Sequence, residues 1–359
     1  MPSWVGDAVM ATPALRLLRS AFPGAFIGGL VRPGIDAVLA GLPFVDEFHV
    51  ETTRGVMGPK RSAARLRGRR YELAVLLTNS FSTALTTRLA GIPRRIGYDR
   101  DGRGMLLTDR LTALRRRDVP PFDRSTTDPG AWAPVPACRY YFDAARRVLA
   151  LAGLPDPGAG DEAMGRMELA VTDAEAAAAL ALLDRAGVNQ DEAFAVLNPG
   201  GNNPAKRWPA DRFAQVAEYL HRAHGLRCLV NGSPAENEVT RAVVSACDPA
   251  CGAVALSELG GTLGSLKGVL GGLGGRRARL LVTNDTGPRH IAAAFGVPVV
   301  SLFGPTDPRW TTIPAREVVL TADPTLPEEE VADDHPERCR IERIETAAVL
   351  SALDSLLRS

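Results

Sequence analysis

The chain has 359 residues, with 42 Lys and Arg against 41 Asp and Glu, a formal net charge of +1, and 45% hydrophobic residues. That length predicts two domains, and that hydrophobic share supports packed cores rather than disorder. The charge balance excludes a global polyanion-binding surface, so nucleic acid is not an expected partner.

Five scattered cysteines, an odd number, argue against a disulfide framework and suit a reducing cytoplasm. Cys247 and Cys251 lie close together, but no second pair completes a four-ligand zinc set, and no metal site is expected. No run approaches the ~20 apolar residues of a membrane helix, and no signal peptide precedes the first motif. The expectation is a cytoplasmic protein able to touch a membrane surface.

In chain order, Gly6-Asp7 reads as a turn before a helix from about Thr12 to Ala21, with Leu15, Leu18 and Phe22 on one face. Pro13 fits its first turn. A helix on a parallel sheet normally follows a strand, and that first N-terminal strand is missing. The native chain is therefore expected to start upstream of Met1, which sequencing its N-terminus would check. Strands at Ala25–Val31, Asp46–Val50 and Leu73–Leu77 alternate with helices near Gly34–Ala40 and after Thr78-Asn79-Ser80. The basic run from Arg54 to Arg70 reads as a solvated helix face or as a patch for an anionic lipid surface. Arg94–Tyr98 and Leu106–Leu111 read as short strands, Asp118–Ala137 as a surface loop, and the segment carrying Tyr140, Tyr141, Val148 and Leu151 as the helix that ends the first domain, residues 1–152.

Residues 153–167 read as a linker and 168–359 as the second domain. It begins with Glu168–Val171 and an alanine-rich helix from Asp173; the expected strands are Ala193–Leu197 and Leu226–Val230, with a helix from Pro209 to Ala223, another near Pro234, and a final one from Glu345 to Leu357. The alternation predicts α/β architecture with two parallel sheets.

The most informative stretch runs from Leu280 to Pro308. An apolar run stops at Thr283-Asn284-Asp285-Thr286-Gly287, Pro288 opens a short helix, Gly296 closes it, and Pro298–Phe303 forms a second apolar run. Both strands read as buried on two faces. Asp285, Thr286 and Gly287 then lie at a strand end on a helix N-terminus, where free N–H groups favour a diphosphate; the plainer alternative is that Asp285 or Thr286 caps the helix. Lys206, after Asn198-Pro199-Gly200-Gly201, offers a cation to the same phosphates, or is a surface lysine beside Trp208. Glu236 is a candidate for accepting hydrogen bonds from a ribose. His290 lines the site or is a structural histidine. Asp7, at the opposite edge of a cleft between the domains, is a candidate general base. Together these suit glycosyl transfer from a nucleotide sugar, with Lys206 and the helix N-terminus stabilising the leaving diphosphate.

Five stretches carry a resemblance: PSWVGDAVMATPALRLLRSAFPGA, LLTNSFSTALTTRLAGIPRRIGY, LNPGGNNPAKRWPADRFAQVA, NGSPAENE and TNDTGPRHIAAAFGVPVVSLFGPTDP. In this order they resemble the ADP-heptose:lipopolysaccharide heptosyltransferases, glycosyltransferase family 9, closest to the heptosyltransferase II branch. The resemblance implies a GT-B fold of two Rossmann-like domains facing a cleft, metal-independent inverting transfer without a cofactor, and work at the cytoplasmic face of the inner membrane on a lipid-linked saccharide acceptor. It implies Asp7 as base, and Lys206, Asp285, Thr286, Gly287 and His290 around the donor, with Glu236 a looser match and Asn79 and Ser80 on the acceptor side by analogy. Departures are the absent first strand, Asn202-Asn203 in the donor loop, the long Asp118–Ala137 loop, and a tail reduced to His335 and Cys339. Two alternatives stay open: another nucleotide sugar used for a different cell-surface glycan, or a nucleotide-sugar-binding protein without turnover. A dinucleotide-dependent oxidoreductase is disfavoured, because no Gly-x-Gly-x-x-Gly follows a first strand.

Overall fold

A computed structural model describes residues 1–53, 55–116, 132–273, 275, 277–322 and 340–358. Arg54, most of the Asp118–Ala137 loop, His335 and Cys339 lie outside the described residues. The chain divides into two compact units: Met1–Asp36 with Leu42–Met167 and Arg309–Thr312, and Ala37–Gly41 with Glu168–Pro308 and Ile313–Ser359.

The first unit opens on helix α1 (Val5–Met10) and helix α2 (Thr12–Ala21). Gly6-Asp7 is therefore not a turn ahead of the Thr12 helix, as the sequence suggested. Asp7 lies in the first turn of α1, where its negative charge suits the positive end of the helix dipole. Pro13 has no N–H to give to the carbonyl of Val9, and the Thr12 hydroxyl donates to that carbonyl instead, at 2.7 Å. Among the described residues no strand precedes α1, and the ammonium of Met1 donates to Leu30 O at 3.0 Å.

Strand β1 (Gly28–Val31), helix α3 (Ile35–Leu39) and strand β2 (Glu47–Val50) follow, then helix α4 (Gly58–Arg67), strand β3 (Leu73–Leu76), helix α5 (Phe81–Leu89), strand β4 (Arg94–Tyr98) and strand β5 (Asp109–Leu111). Helix α6 (Ala137–Leu151) and one turn, α7 (Asp161–Met164), complete the unit. The single strand expected at Leu106–Leu111 is a 3-10 turn at Gly104–Leu106 followed by β5, because that turn takes Leu107 N–H back to Gly104 O. One sheet was expected here, and there are two: β1-β2 and β3-β4-β5, parallel throughout.

The second unit holds helix α8 (Asp173–Arg185), strand β6 (Ala193–Asn198), helix α9 (Ala210–His224), strand β7 (Arg227–Val230), helix α10 (Asn237–Ala246), strand β8 (Val254–Ala255), helix α11 (Leu263–Gly271), strand β9 (Arg277–Asn284), helix α12 (Gly287–Ala294), strand β10 (Val299–Phe303), strand β11 (Glu317–Thr321) and helix α13 (Thr346–Arg358). They form one parallel six-stranded sheet in the order β11-β10-β9-β6-β7-β8. The segment Glu168–Val171 that opens this unit is not a strand. Its neighbour Met167 is buried, but no described strand pairs with the segment. Strands β6, β9 and β10 are nearly continuous apolar runs, as a sheet covered on both faces requires. One core cluster joins Leu197, Phe213, Leu220, Val282, Leu302 and Leu353. The strand order reverses between β6 and β9, and ligands of open parallel sheets bind at such a switch point.

Candidate functional site

The loops after β6 and β9 meet at that switch point because β6 and β9 are neighbours, with Asn198 level with Thr283. Asn198 Nδ2 donates to Thr283 Oγ1 at 3.2 Å and to Thr286 Oγ1 at 3.0 Å, and Asn231 Nδ2, from the end of β7, donates to Asn198 Oδ1 at 2.7 Å. Asn284, fully buried, gives Nδ2 to the carbonyls of Pro199 and Gly200 at 2.8 and 3.1 Å, and its Oδ1 accepts from Trp208 N–H at 3.2 Å. Three asparagines at three strand ends thus lock the Asn198–Trp208 loop onto the start of α12. Their sequence signal was present as polar residues ending apolar runs, but sequence reading assigned them no role.

Within this frame Lys206 ends a 3-10 turn, Pro204–Lys206, and reaches Asp285 Oδ2 at 3.0 Å. Both side chains are mostly buried, at 16% and 10% exposure, so Lys206 is not the surface lysine of the plainer alternative. Thr306 Oγ1 donates to the same carboxylate oxygen at 2.9 Å. Burial pushes the Asp285 carboxyl up. The charges of Lys206 and Arg289 and the hydrogen bonds from Lys206 and Thr306 outweigh it, so the group ionises below the ordinary range. Thr286 is the N-cap of α12, with extended backbone and no side-chain cap bond. Neither Asp285 nor Thr286 therefore spends its side chain on capping, and Gly287 opens the helix beside the Lys206–Asp285 pair.

His290, one turn further along α12, is buried, and its Nδ1 has no hydrogen-bond partner among the described residues. Burial, with Arg289 adding to it, lowers its pKa to about 3, so the ring is neutral at physiological pH. Arg289 forms a buried fork to Glu317, with Nε and Nη2 at 2.6 and 2.8 Å from the two carboxylate oxygens, and Ser301 Oγ donates to the same carboxylate. That fork ties α12 to β11, a strand that sequence reading missed.

Glu236 uses both carboxylate oxygens on the protein. Oε1 accepts from Gly201 N–H at 2.8 Å, and Oε2 accepts from the Ser233 N–H and hydroxyl at 2.8 Å each. It is at the site, as expected, and its visible work is to tether the Gly200-Gly201 loop. A Cβ on Gly200 would lie 2.1 Å from Glu236 Oε1, so any larger side chain there would displace the carboxylate from that tether.

In the first unit, Asp7 Oδ1 accepts from Tyr141 OH at 2.8 Å. Burial raises the Tyr141 phenol well above its ordinary value, and the Asp7 charge adds to that, so it stays a donor. Asn79 Oδ1 accepts from Tyr140 OH at 2.8 Å and from Arg103 Nη2 at 3.2 Å, while Ser80 Oγ pairs with Ser82 Oγ at 2.7 Å. The adjacent residues Tyr140 and Tyr141 of α6 thus hold Asn79 and Asp7. In the sequence both tyrosines marked only the helix that ends the first domain. The described residues contain no group of three potential metal ligands and no helix long and apolar enough to cross a membrane.

The model of glycosyltransferase family 9 (heptosyltransferase) matches residues 60–124 and 147–336. The chain is 28% identical over 317 residues to lipopolysaccharide heptosyltransferase 2 of Escherichia coli (strain K12), covering 86% of this chain and 83% of that protein. In structure it is similar to a glycosyl transferase family 9 protein from Veillonella parvula (TM-score 0.77, 22% identity, 100% of this chain and 95% of that one). It is also similar to the E. coli ADP-heptose LPS heptosyltransferase II (TM-score 0.72, 24% identity, 99% and 97%). The fold is that of these GT-B-type transferases.

Proposed function

The chain belongs to glycosyltransferase family 9, the heptosyltransferases, and from that premise we propose that it moves heptose from ADP-heptose to the inner core of lipopolysaccharide. The observation that carries this reading is the Lys206–Asp285 pair beside the N-terminus of α12, at the switch point of a parallel sheet. An ammonium with three N–H bonds can hold Asp285 and a phosphate oxygen together. The N–H groups at the start of α12 face the same diphosphate.

Asp7 takes the proton of the acceptor hydroxyl as that oxygen attacks the anomeric carbon. The bond from that carbon to the diphosphate oxygen breaks, and the electron pair leaves with ADP. One displacement inverts the anomeric centre. Tyr141 OH donates to Asp7 Oδ1 and helps to orient it. Lys206 and the helix N-terminus receive the charge that develops on the leaving group, the largest electrostatic demand of the step. Neutral His290 contributes a hydrogen bond to the donor without adding a cation. Glu236 keeps the Gly200-Gly201 loop open to the nucleotide. This scheme needs no metal. The acceptor is lipid-linked, so the enzyme works at the cytoplasmic surface of the inner membrane; exposed Lys60, Arg61 and Arg70 suit such an anionic surface.

The test is transfer from ADP-heptose against UDP-, GDP- and dTDP-sugars, with heptose-deficient lipopolysaccharide as acceptor and with chelator present. Product from ADP-heptose alone is expected. Product only from another nucleotide sugar would discard the heptosyl assignment, and tight donor binding without product would favour a binding role.

A further inference from the structure

The loop that follows β3 carries Asn79, and its amide has one orientation. Arg103 Nη2 lies 3.2 Å from Asn79 Oδ1, and Tyr140 OH lies 2.8 Å from the same oxygen. A guanidinium only donates, so the atom that faces it is the amide oxygen. Two donors then occupy that oxygen. Nδ2 bonds to nothing among the described residues and is not a buried atom, so both of its N–H bonds are left to solvent.

Arg103 itself is fully buried. Its Nε donates to Tyr98 O at 2.9 Å, and its Nη1 donates to the carbonyl of Thr78, the residue before Asn79. Gly97 of β4 leaves room for the guanidinium, since a Cβ there would lie 3.2 Å from Nη2. Tyr98 stacks on Tyr140 with ring centroids 3.6 Å apart and donates to Tyr140 O at 3.1 Å, which closes a ring of contacts through Arg103, Tyr98, Tyr140 and Asn79. All three hydrogen-bond partners of the guanidinium are neutral oxygens. Its charge therefore polarises the Asn79 amide, and linked hydrogen bonds strengthen one another, so Nδ2 is a stronger donor than an isolated amide. An ionised ligand is met best by a guanidinium itself, through two parallel bonds. Here the cation is sealed inside and only the amide faces out, which suits a neutral oxygen.

We propose that Asn79 determines acceptor specificity by donating its N–H bonds to a neutral oxygen with no proton to return, a ring or glycosidic oxygen of the acceptor sugar. Arg103 and Tyr140 are the positioning residues that fix this polarity. The proposal rests on the reading that the first unit takes the acceptor. Helix α6 ties the contact to the chemistry: Tyr140 bonds Asn79, and the next residue, Tyr141, bonds the candidate base Asp7.

The test uses the full chain with ADP-heptose and de-acylated heptose-deficient lipopolysaccharide. It reads acceptor KM, kcat, donor Kd, melting temperature and the side-chain amide NMR signals of Asn79. Asn79→Asp keeps an oxygen for Arg103 and Tyr140 and replaces the outward N–H bonds by an oxygen that cannot donate. It is expected to raise acceptor KM about tenfold, the value of one hydrogen bond from a polarised donor, with donor Kd retained and no fall in melting temperature. Tyr140→Phe keeps the stack on Tyr98, removes one bond to Oδ1, and should raise KM about threefold. Arg103→Lys keeps the charge without the fork and should raise KM with kcat retained; if it does not fold, the other two variants decide. The Asn79 amide signals, identified by their loss in Asn79→Asp, are expected to move when acceptor is added. An unchanged KM in Asn79→Asp, amide signals that stay still, or a melting temperature that falls in step with the rise in KM would overturn the contact. So would a KM effect that disappears at high salt, because that marks charge repulsion in place of a lost N–H bond. Amide signals that move while ADP-heptose gives no product would uphold the contact and overturn the heptosyl reading instead.

Discussion

At Asp7 a hydrogen bond from Tyr141 OH helps to orient the carboxylate. If Asp7 is the base, Asp7→Asn lowers kcat by ~10²-fold or more and leaves donor Kd nearly unchanged. Tyr141→Phe removes only the positioning bond and is expected to cost about tenfold in kcat with little change in KM. Equal losses in binding and turnover for Asp7→Asn would make it a structural residue. Lys206 offers a test of a different kind. Its charge is the largest influence lowering the Asp285 carboxyl against the burial that raises it. In Lys206→Met, the Asp285 carboxyl is therefore expected to titrate higher than in the native protein, as read by carboxyl-carbon NMR, together with weaker donor binding. An Asp285 titration unmoved by Lys206→Met would mean that the pair does not couple.

Helix α12 is the element on which the proposed donor site depends, and it is held from both sides. Asn198 and Asn284 fasten its N-terminal turn to the loop after β6, and the buried Arg289–Glu317 fork fastens its first turn to β11. Removing one partner of a buried pair leaves the other charge uncompensated, so Arg289→Met is expected to destabilise the fold by about 3–5 kcal/mol in urea unfolding. Glu317→Gln with Arg289→Met should recover part of that loss. The opposite loop depends on Gly200. Gly200→Ala forces the Glu236 carboxylate off Gly201 N–H, and the expected result is weaker donor binding with an unfolding midpoint moved little. The identity of this element was legible in the sequence: Pro288 near the helix start and Gly296 after its end bracket it within a residue or two. The three asparagines that hold it were not, because each bonds to a loop contributed by a different strand.

Across the whole molecule, His290 makes stability depend on pH. Its pKa falls from 6.5 to about 3 on folding, chiefly through burial. The unfolded chain binds this proton between those values and the folded chain does not. The contribution is thus fully present above pH 6.5 and is lost as pH falls towards 3. Thermal denaturation from pH 7 to 4 should show this decline, and His290→Asn should flatten it; an unchanged slope would mean that the ring is already accessible to protons.

The α/β class, most elements, and the residues gathered at the proposed donor site follow from the sequence alone. Period, Pro and Gly placement and polar residues at strand ends are local signals, and neighbouring residues carry them in full. What the tertiary structure decided is pairing. It placed β6 beside β9, with Asn198 bonded to a residue 85 positions away, and so made one site of two loops. It turned Gly6-Asp7 into the first turn of a helix and gave Asp7 its tyrosine 134 positions on. It divided the first unit's strands into two sheets and left Glu168–Val171 outside the described strands. Strand pairing and buried hydrogen bonds join groups far apart in the chain, and no local pattern encodes which distant group will be met.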